Sequence, residues 1–102
     1  GPVYSTRKLM ERTGLKIEDF DLIELNEAFA AQSIACIKEL NLDPKKVNPN
    51  GGAIAIGHPN AASGGILTAR TVRYMEEANL KRALISFCIG GGQGFSCVLE
   101  RD

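Results

Sequence analysis

A cysteine, a histidine and an asparagine are the residues of this chain whose types and settings could do chemistry. Cys88 lies near the end of the apolar run Arg82-Ala83-Leu84-Ile85-Ser86-Phe87-Cys88-Ile89, and Gly90-Gly91-Gly92-Gln93-Gly94 follows at once. Successive glycines cost backbone entropy and add no packing, so they belong where the chain turns sharply or something approaches closely. A thiol at the end of a buried strand, beside freely placed backbone N–H groups, has the parts of an acyl-transfer or proton-transfer site. The same thiol also fits the plainer role of a small buried hydrophobe. His58, the sole histidine, stands in Gly57-His58-Pro59, and imidazole changes its charge near neutral pH. Asn26 opens Asn26-Glu27-Ala28-Phe29, where its amide suits a helix N-cap.

The elements that must position these groups follow from the patterning. Residues 2–13 predict a helix, with Pro2 suited to its first turn and Gly14 to its C′ position. Residues 21–25 predict a short strand. Residues 26–40 predict a second helix, with small and apolar residues around most of its circumference and hence burial on more than one side. Residues 41–50 form a polar connection containing Pro44 and Pro49, and residues 51–65 are rich in small side chains that allow close approach. A third helix is predicted from about 61 to 78, a buried strand over 82–88, and an alternating strand over 94–100. On that last strand Phe95, Cys97 and Leu99 share one face, while Ser96, Val98 and Glu100 share the other. The glycine break before it predicts a hairpin. The order is α/β: three helices packed on a short mixed sheet that ends in a β-hairpin.

Composition sets outer bounds. A chain of 102 residues is one domain at most, or part of one. It opens on Gly1-Pro2 without an initiator methionine, and residues 1–102 read as a single domain segment of a longer chain. Twelve basic and twelve acidic residues leave no formal net charge, which argues against a nucleic-acid partner. No apolar run approaches a membrane span, and no membrane role is expected. Cys36, Cys88 and Cys97 are odd in number and lack C-x-x-C spacing, so neither a disulfide framework nor a zinc site is expected and a cytoplasmic home is simplest. Cys36 and Cys97 read as core residues.

Two phosphate-binding readings fail. Gly52-Ala53-Ile54-Ala55-Ile56-Gly57 has P-loop glycine spacing, but His58-Pro59 follows in place of the required Lys and hydroxyl. Gly90-Gly91-Gly92-Gln93-Gly94-Phe95 lacks the third glycine of the dinucleotide fingerprint and opens a strand rather than a helix. No metal-ligand spacing is present.

Three blocks taken together resemble the C-terminal half of thiolases, the acyl-CoA C-acyltransferases. They are Asn26-Glu27-Ala28-Phe29-Ala30-Ala31-Gln32, Asn50-Gly51-Gly52-Ala53-Ile54-Ala55-Ile56-Gly57-His58-Pro59, and Cys88-Ile89-Gly90-Gly91-Gly92-Gln93-Gly94. The resemblance implies that Cys88 is the acid/base. It implies that His58 helps form an oxyanion hole and activates a nucleophilic cysteine. Asn26 would hold an oxyanion-hole water, and the Gly90 N–H would belong to a second oxyanion hole. Ala28 and Phe29 would line the pantetheine tunnel. Coenzyme A thioesters, acetyl-CoA among them, would be substrates, with no covalently bound cofactor and no metal. The nucleophilic cysteine would lie in an N-terminal thiolase half, so this chain alone would be inactive and the complete enzyme a homo-oligomer.

The run Asn60-Ala61-Ala62-Ser63-Gly64-Gly65-Ile66 departs from the family pattern. The family has an apolar residue where Asn60 stands, Gly at Ala61 and Arg at Ile66. Two other readings compete. Related condensing enzymes such as ketosynthases place a second histidine where Cys88 stands, which counts against them. A non-catalytic thiolase-like subunit or acyl-CoA-binding scaffold would be expected to lose one of the three polar side chains, and none is lost.

Overall fold

The computed structural model describes residues 2–27, 30–51, 63–89 and 93–101. Helix α1 (Pro2–Thr13) leads through a single 3-10 turn (Ile17–Asp19) to strand β1 (Leu22–Leu25). Helix α2 (Ala30–Glu39), helix α3 (Ser63–Ala78), strand β2 (Arg82–Ile89) and strand β3 (Gln93–Glu100) follow. The strands form one mixed sheet in the order β1-β2-β3, with β1 parallel to β2 and β2 antiparallel to β3. The predicted hairpin is present, with Ile89 opposite Gln93 at its closed end.

Helix α1 stops where the sequence says it must. Gly14 takes φ +73°, its N–H donates to Met10 O at 2.8 Å, and Leu15 then joins the core. An added Cβ at Gly14 would meet nothing within 4 Å, so the left-handed backbone, not lack of space, selects glycine. The other two helices end on left-handed asparagines, Asn41 at φ 52° and Asn79 at φ 54°. The next residues, Leu42 and Leu80, donate back to Ile37 O (3.0 Å) and Met75 O (2.9 Å), which satisfies orphan carbonyls of the last turn.

The pleat sorts the core into two layers. Ile23, Leu84 and Val98 lie in register on one face, packed with Phe20, Leu40 and Leu42 and with α1 and α2 through Val3, Leu9 and Ile37. Leu22, Ala83 and Leu99 lie in register on the other, against Met75 and Tyr74 of α3. Alternation on β3 is as expected, Val98 facing one layer and Leu99 the other. Cys36 is buried in α2 and Cys97 half-buried in β3, where burial raises the thiol pKa.

Two expectations need correction. Asn26 is not the residue before a helix, because residues 26 and 27 are both non-helical; its N–H instead donates to Ser86 O at 2.9 Å, prolonging the β1–β2 ladder. Long-range pairing has outweighed a local capping preference. Helix α2 does not bury most of its circumference within this chain either: Ser33 and Cys36 are buried, but Ile34 is 56% exposed.

Candidate functional site

The site is built around the carboxyl end of β1. All four β1 residues are buried, and successive side chains alternate between faces. Leu22, Glu24 and Asn26 therefore share the α3 side. Asn26 is 3% exposed and follows β1 directly, while Cys88 lies two residues beyond the Ser86 that accepts its N–H. The backbones of Asn26 and Cys88 thus meet at the same end of two adjacent parallel strands, the end where α/β sheets bind their ligands. Cys88 itself pairs with Gly94 across the hairpin. Ala28, Phe29, His58 and Gly90 lie outside the described residues.

Residues 46–48 seal the outer side of β1. Val47 bridges to Ile23 in parallel; Ile23 N–H donates to Lys46 O, and Asn48 N–H donates to Ile23 O, both at 2.9 Å. Asn48 then takes φ 46° and turns its amide onto Leu25. Its Oδ1 accepts from Leu25 N–H at 2.8 Å, and its Nδ2 donates to Leu25 O at 2.7 Å. One side chain thus acts as the next strand would, beside the residue that precedes Asn26.

Across the α3 side lies a charged seam that sequence reasoning missed. Glu24 is 1% exposed, and its Oε2 has no hydrogen-bond partner among the described residues. Burial pushes its carboxyl pKa up to about 7; Arg70 opposes the rise and Glu27 adds to it. Arg70 Nη2 donates to Gly51 O at 2.7 Å and Asn50 O at 3.2 Å, while its Nη1 is buried without a hydrogen-bond partner among the described residues. Half-buried Ile66, where the family resemblance implies an arginine, is one turn before Arg70. A visible signal existed: Glu24 is the one charge in an otherwise apolar run, Leu22-Ile23-Glu24-Leu25.

The opposite face carries hydroxyls. Ser96 Oγ lies 2.7 Å from Ser5 Oγ, 3.0 Å from Thr6 Oγ1 and 2.8 Å from Ser86 Oγ, joining α1 to both strands of the hairpin. Thr6 Oγ1 also donates to Ser86 Oγ at 3.3 Å. Among the described residues no cluster of His, Cys, Asp or Glu could hold a metal ion, and no helix is long and apolar enough to cross a membrane.

This layout, with its three sequence blocks, is that of a thiolase C-terminal domain, and the family model described as "Thiolase, C-terminal domain" matches residues 1–101. The chain belongs to the thiolase family. It is 48% identical to the beta-ketothiolase of Cupriavidus necator, covering 99% of this chain and 26% of that protein. It is 52% identical to the beta-ketoadipyl-CoA thiolase of Pseudomonas knackmussii and 50% identical to a probable acetyl-CoA acetyltransferase of Escherichia coli, with the same coverage. The solved peroxisomal 3-ketoacyl-CoA thiolase of Saccharomyces cerevisiae superposes with a TM-score of 0.92 at 42% identity, over 100% of this chain and 29% of that one. That enzyme is a five-layered α-β-α-β-α structure with two core domains of identical topology. The chain therefore spans about a quarter of the length of the curated relatives it matches.

Proposed function

We propose that residues 1–102 are a C-terminal domain segment of a thiolase that cleaves or forms carbon–carbon bonds between acyl-CoA thioesters. The observation that carries this reading is the meeting of Asn26 and Cys88 at one end of β1 and β2, in a chain that matches the thiolase C-terminal domain almost throughout.

Cleavage requires a carbanion equivalent beside a thioester, and the developing negative charge falls on the thioester oxygen. Donors preorganised around that oxygen contribute roughly 3 kcal/mol each to the transition state. In this reading His58 and a water held by Asn26 supply them, and the Gly90 N–H serves the acyl-enzyme carbonyl. Cys88 moves the proton: it protonates the departing acetyl-CoA carbanion in cleavage, or removes the same α-proton in synthesis. Ala28 and Phe29 line the approach of the pantetheine arm. The nucleophilic cysteine comes from the N-terminal part of the enzyme, which also covers Ile34 on the outer side of α2. Coenzyme A is substrate rather than resident cofactor, and the complete enzyme is a cytoplasmic homo-oligomer.

The test is acetoacetyl-CoA cleavage by the complete polypeptide that carries this segment. Turnover is expected there and not from the 102-residue chain, whose turnover would refute the division of labour. Cys88→Ala should abolish turnover while mass spectrometry still finds an acetyl group on the nucleophilic cysteine after incubation with acetyl-CoA, a thioester exchange that forms no carbanion. Loss of acylation as well would assign Cys88 another role. A complete polypeptide that binds acyl-CoA without cleaving it would identify a scaffold.

A further inference from the structure

We propose that Arg70 is a positioning residue for the reaction: it pins the Asn50–Gly51 peptides beside β1 and so fixes the chain leading to His58 relative to Asn26. The proposal rests on the functional reading above, and three observations converge on it.

First, one guanidinium nitrogen serves two successive carbonyls, Asn50 O and Gly51 O. Gly51 is seven residues before His58. The fork is rigid and cannot be deprotonated, so it holds two peptide planes more firmly than a flexible ammonium would.

Second, the pinned carbonyls follow a left-handed Asn48 at φ 46° and flank a left-handed Gly51 at φ 83°. For asparagine such a conformation needs support from its surroundings, whereas glycine adopts it freely along with others. Asn48 is held by its two bonds to Leu25, and Arg70 selects one conformation of the otherwise free Gly51 by bonding its carbonyl.

Third, the arginine acts on a buried carboxyl of opposite sign. Its Nη1 and the Glu24 Oε2 are both buried without hydrogen-bond partners among the described residues, and the charge of Arg70 acts on the Glu24 carboxyl. A guanidinium nitrogen buried in this way needs an anion or acceptors nearby to compensate its lost hydration. In its ionised form Glu24 supplies that anion, and it stands on the same side of the chain as Asn26, two residues before it. The seam thus connects the strand that ends in Asn26 to Asn50 and Gly51, which precede His58 in the sequence. Catalytic groups misplaced by about 1 Å can lose on the order of a hundredfold in rate.

The complete enzyme carrying Arg70→Met, Arg70→Lys and the double change Arg70→Met with Glu24→Gln provides the test. Its readouts are kcat, KM, melting temperature, and amide exchange of the peptide covering residues 50–58. Arg70→Met should lower kcat by roughly tenfold or more with KM little changed, lower the melting temperature, and accelerate that exchange. Adding Glu24→Gln should restore the melting temperature measured above pH 7, where an ionised Glu24 without its cation is costliest, yet leave kcat low and exchange fast. Arg70→Lys keeps the charge but replaces the planar fork with a shorter side chain and a freely rotating ammonium, so it should hold the melting temperature and still lose kcat. Recovery of kcat together with melting temperature in the double variant would reduce Arg70 to a structural role. Unchanged kcat and exchange in Arg70→Met would overturn the proposal. If the unmutated enzyme cleaves no 3-ketoacyl-CoA, the functional reading fails, and the exchange comparison alone decides whether Arg70 pins the segment.

Discussion

Replacing Asn48 separates two costs that the structure combines in one residue. Asn48→Gly removes both bonds to Leu25 while keeping a backbone that accepts φ 46°. Leu25 is 1% exposed, so its N–H and C=O lose their partners in a buried setting. Each such group costs about 1–3 kcal/mol, and partial water entry at half-buried Asn48 keeps the total near the low end, at roughly 2–4 kcal/mol. Asn48→Ala loses the same two bonds and adds a Cβ in the left-handed region, a further cost of about 1–2 kcal/mol. The two variants should therefore rank wild type, Gly, Ala in falling stability. Asn48→Asp retains the acceptor for Leu25 N–H but sets a carboxylate oxygen against Leu25 O, and should fall at or below Gly. Urea denaturation followed by circular dichroism gives the ranking, and hydrogen exchange at the Leu25 amide reads the lost bond directly. A glycine variant within about 0.5 kcal/mol of wild type, with the Leu25 amide still protected, would refute the surrogate-strand reasoning.

Glu24 gives a pH signature with a definite sign. Its folded pKa of about 7 stands above the ordinary glutamate value of 4.5, so the stability linked to its protonation is fully present below about pH 4.5 and lost as pH rises through 7. Glu24→Gln should flatten that fall, by at most roughly 3 kcal/mol across the window; parallel melting curves for the two proteins between these pH values would count against it. Asp21 has the opposite sign. Its Oδ2 accepts from the N–H groups of Lys81 (2.9 Å) and Arg82 (3.2 Å), and the Lys81 bond is the largest cause of a lowered pKa. Its contribution is present above pH 3.8 and lost as pH falls through the lowered folded value. NMR titration should place the Asp21 midpoint below 3.8, and a midpoint at or above that value would contradict the bonding described. Ser96→Ala removes the hub of the hydroxyl cluster and leaves buried Thr6 and Ser86 only their 3.3 Å contact with each other. It should cost about 1–2 kcal/mol in chemical denaturation, and a neutral result would mean that water takes the place of Ser96.

Much of the architecture was legible because its signals are local. Helix α1 is announced by Pro2 at its start and Gly14 past its end, and the hairpin by glycines between two strand patterns. Long-range geometry was not legible in the same way. Asn26 has the composition of a cap, yet its N–H belongs to a ladder whose partner, Ser86, is sixty residues away. Asn48 reads as an ordinary loop residue until β1 is placed beside it. Arg70 reads as one more cation on a helix until the Asn50–Gly51 peptides come within its reach. The candidate site was legible in its motif blocks, while the seam that positions them depends on contacts between elements that no single window of sequence contains.

The sheet also divides how this chain senses its surroundings. Side chains from Ser5, Thr6, Ser86 and Ser96 do not change protonation at ordinary pH, so the layer under α1 is electrically silent to acid and base. The layer under α3 holds a carboxyl poised near neutrality beside a permanent cation. Among the described residues, a shift in acidity therefore reaches β1 through Glu24 on the α3 side, while the hydroxyls on the opposite side keep their charge state.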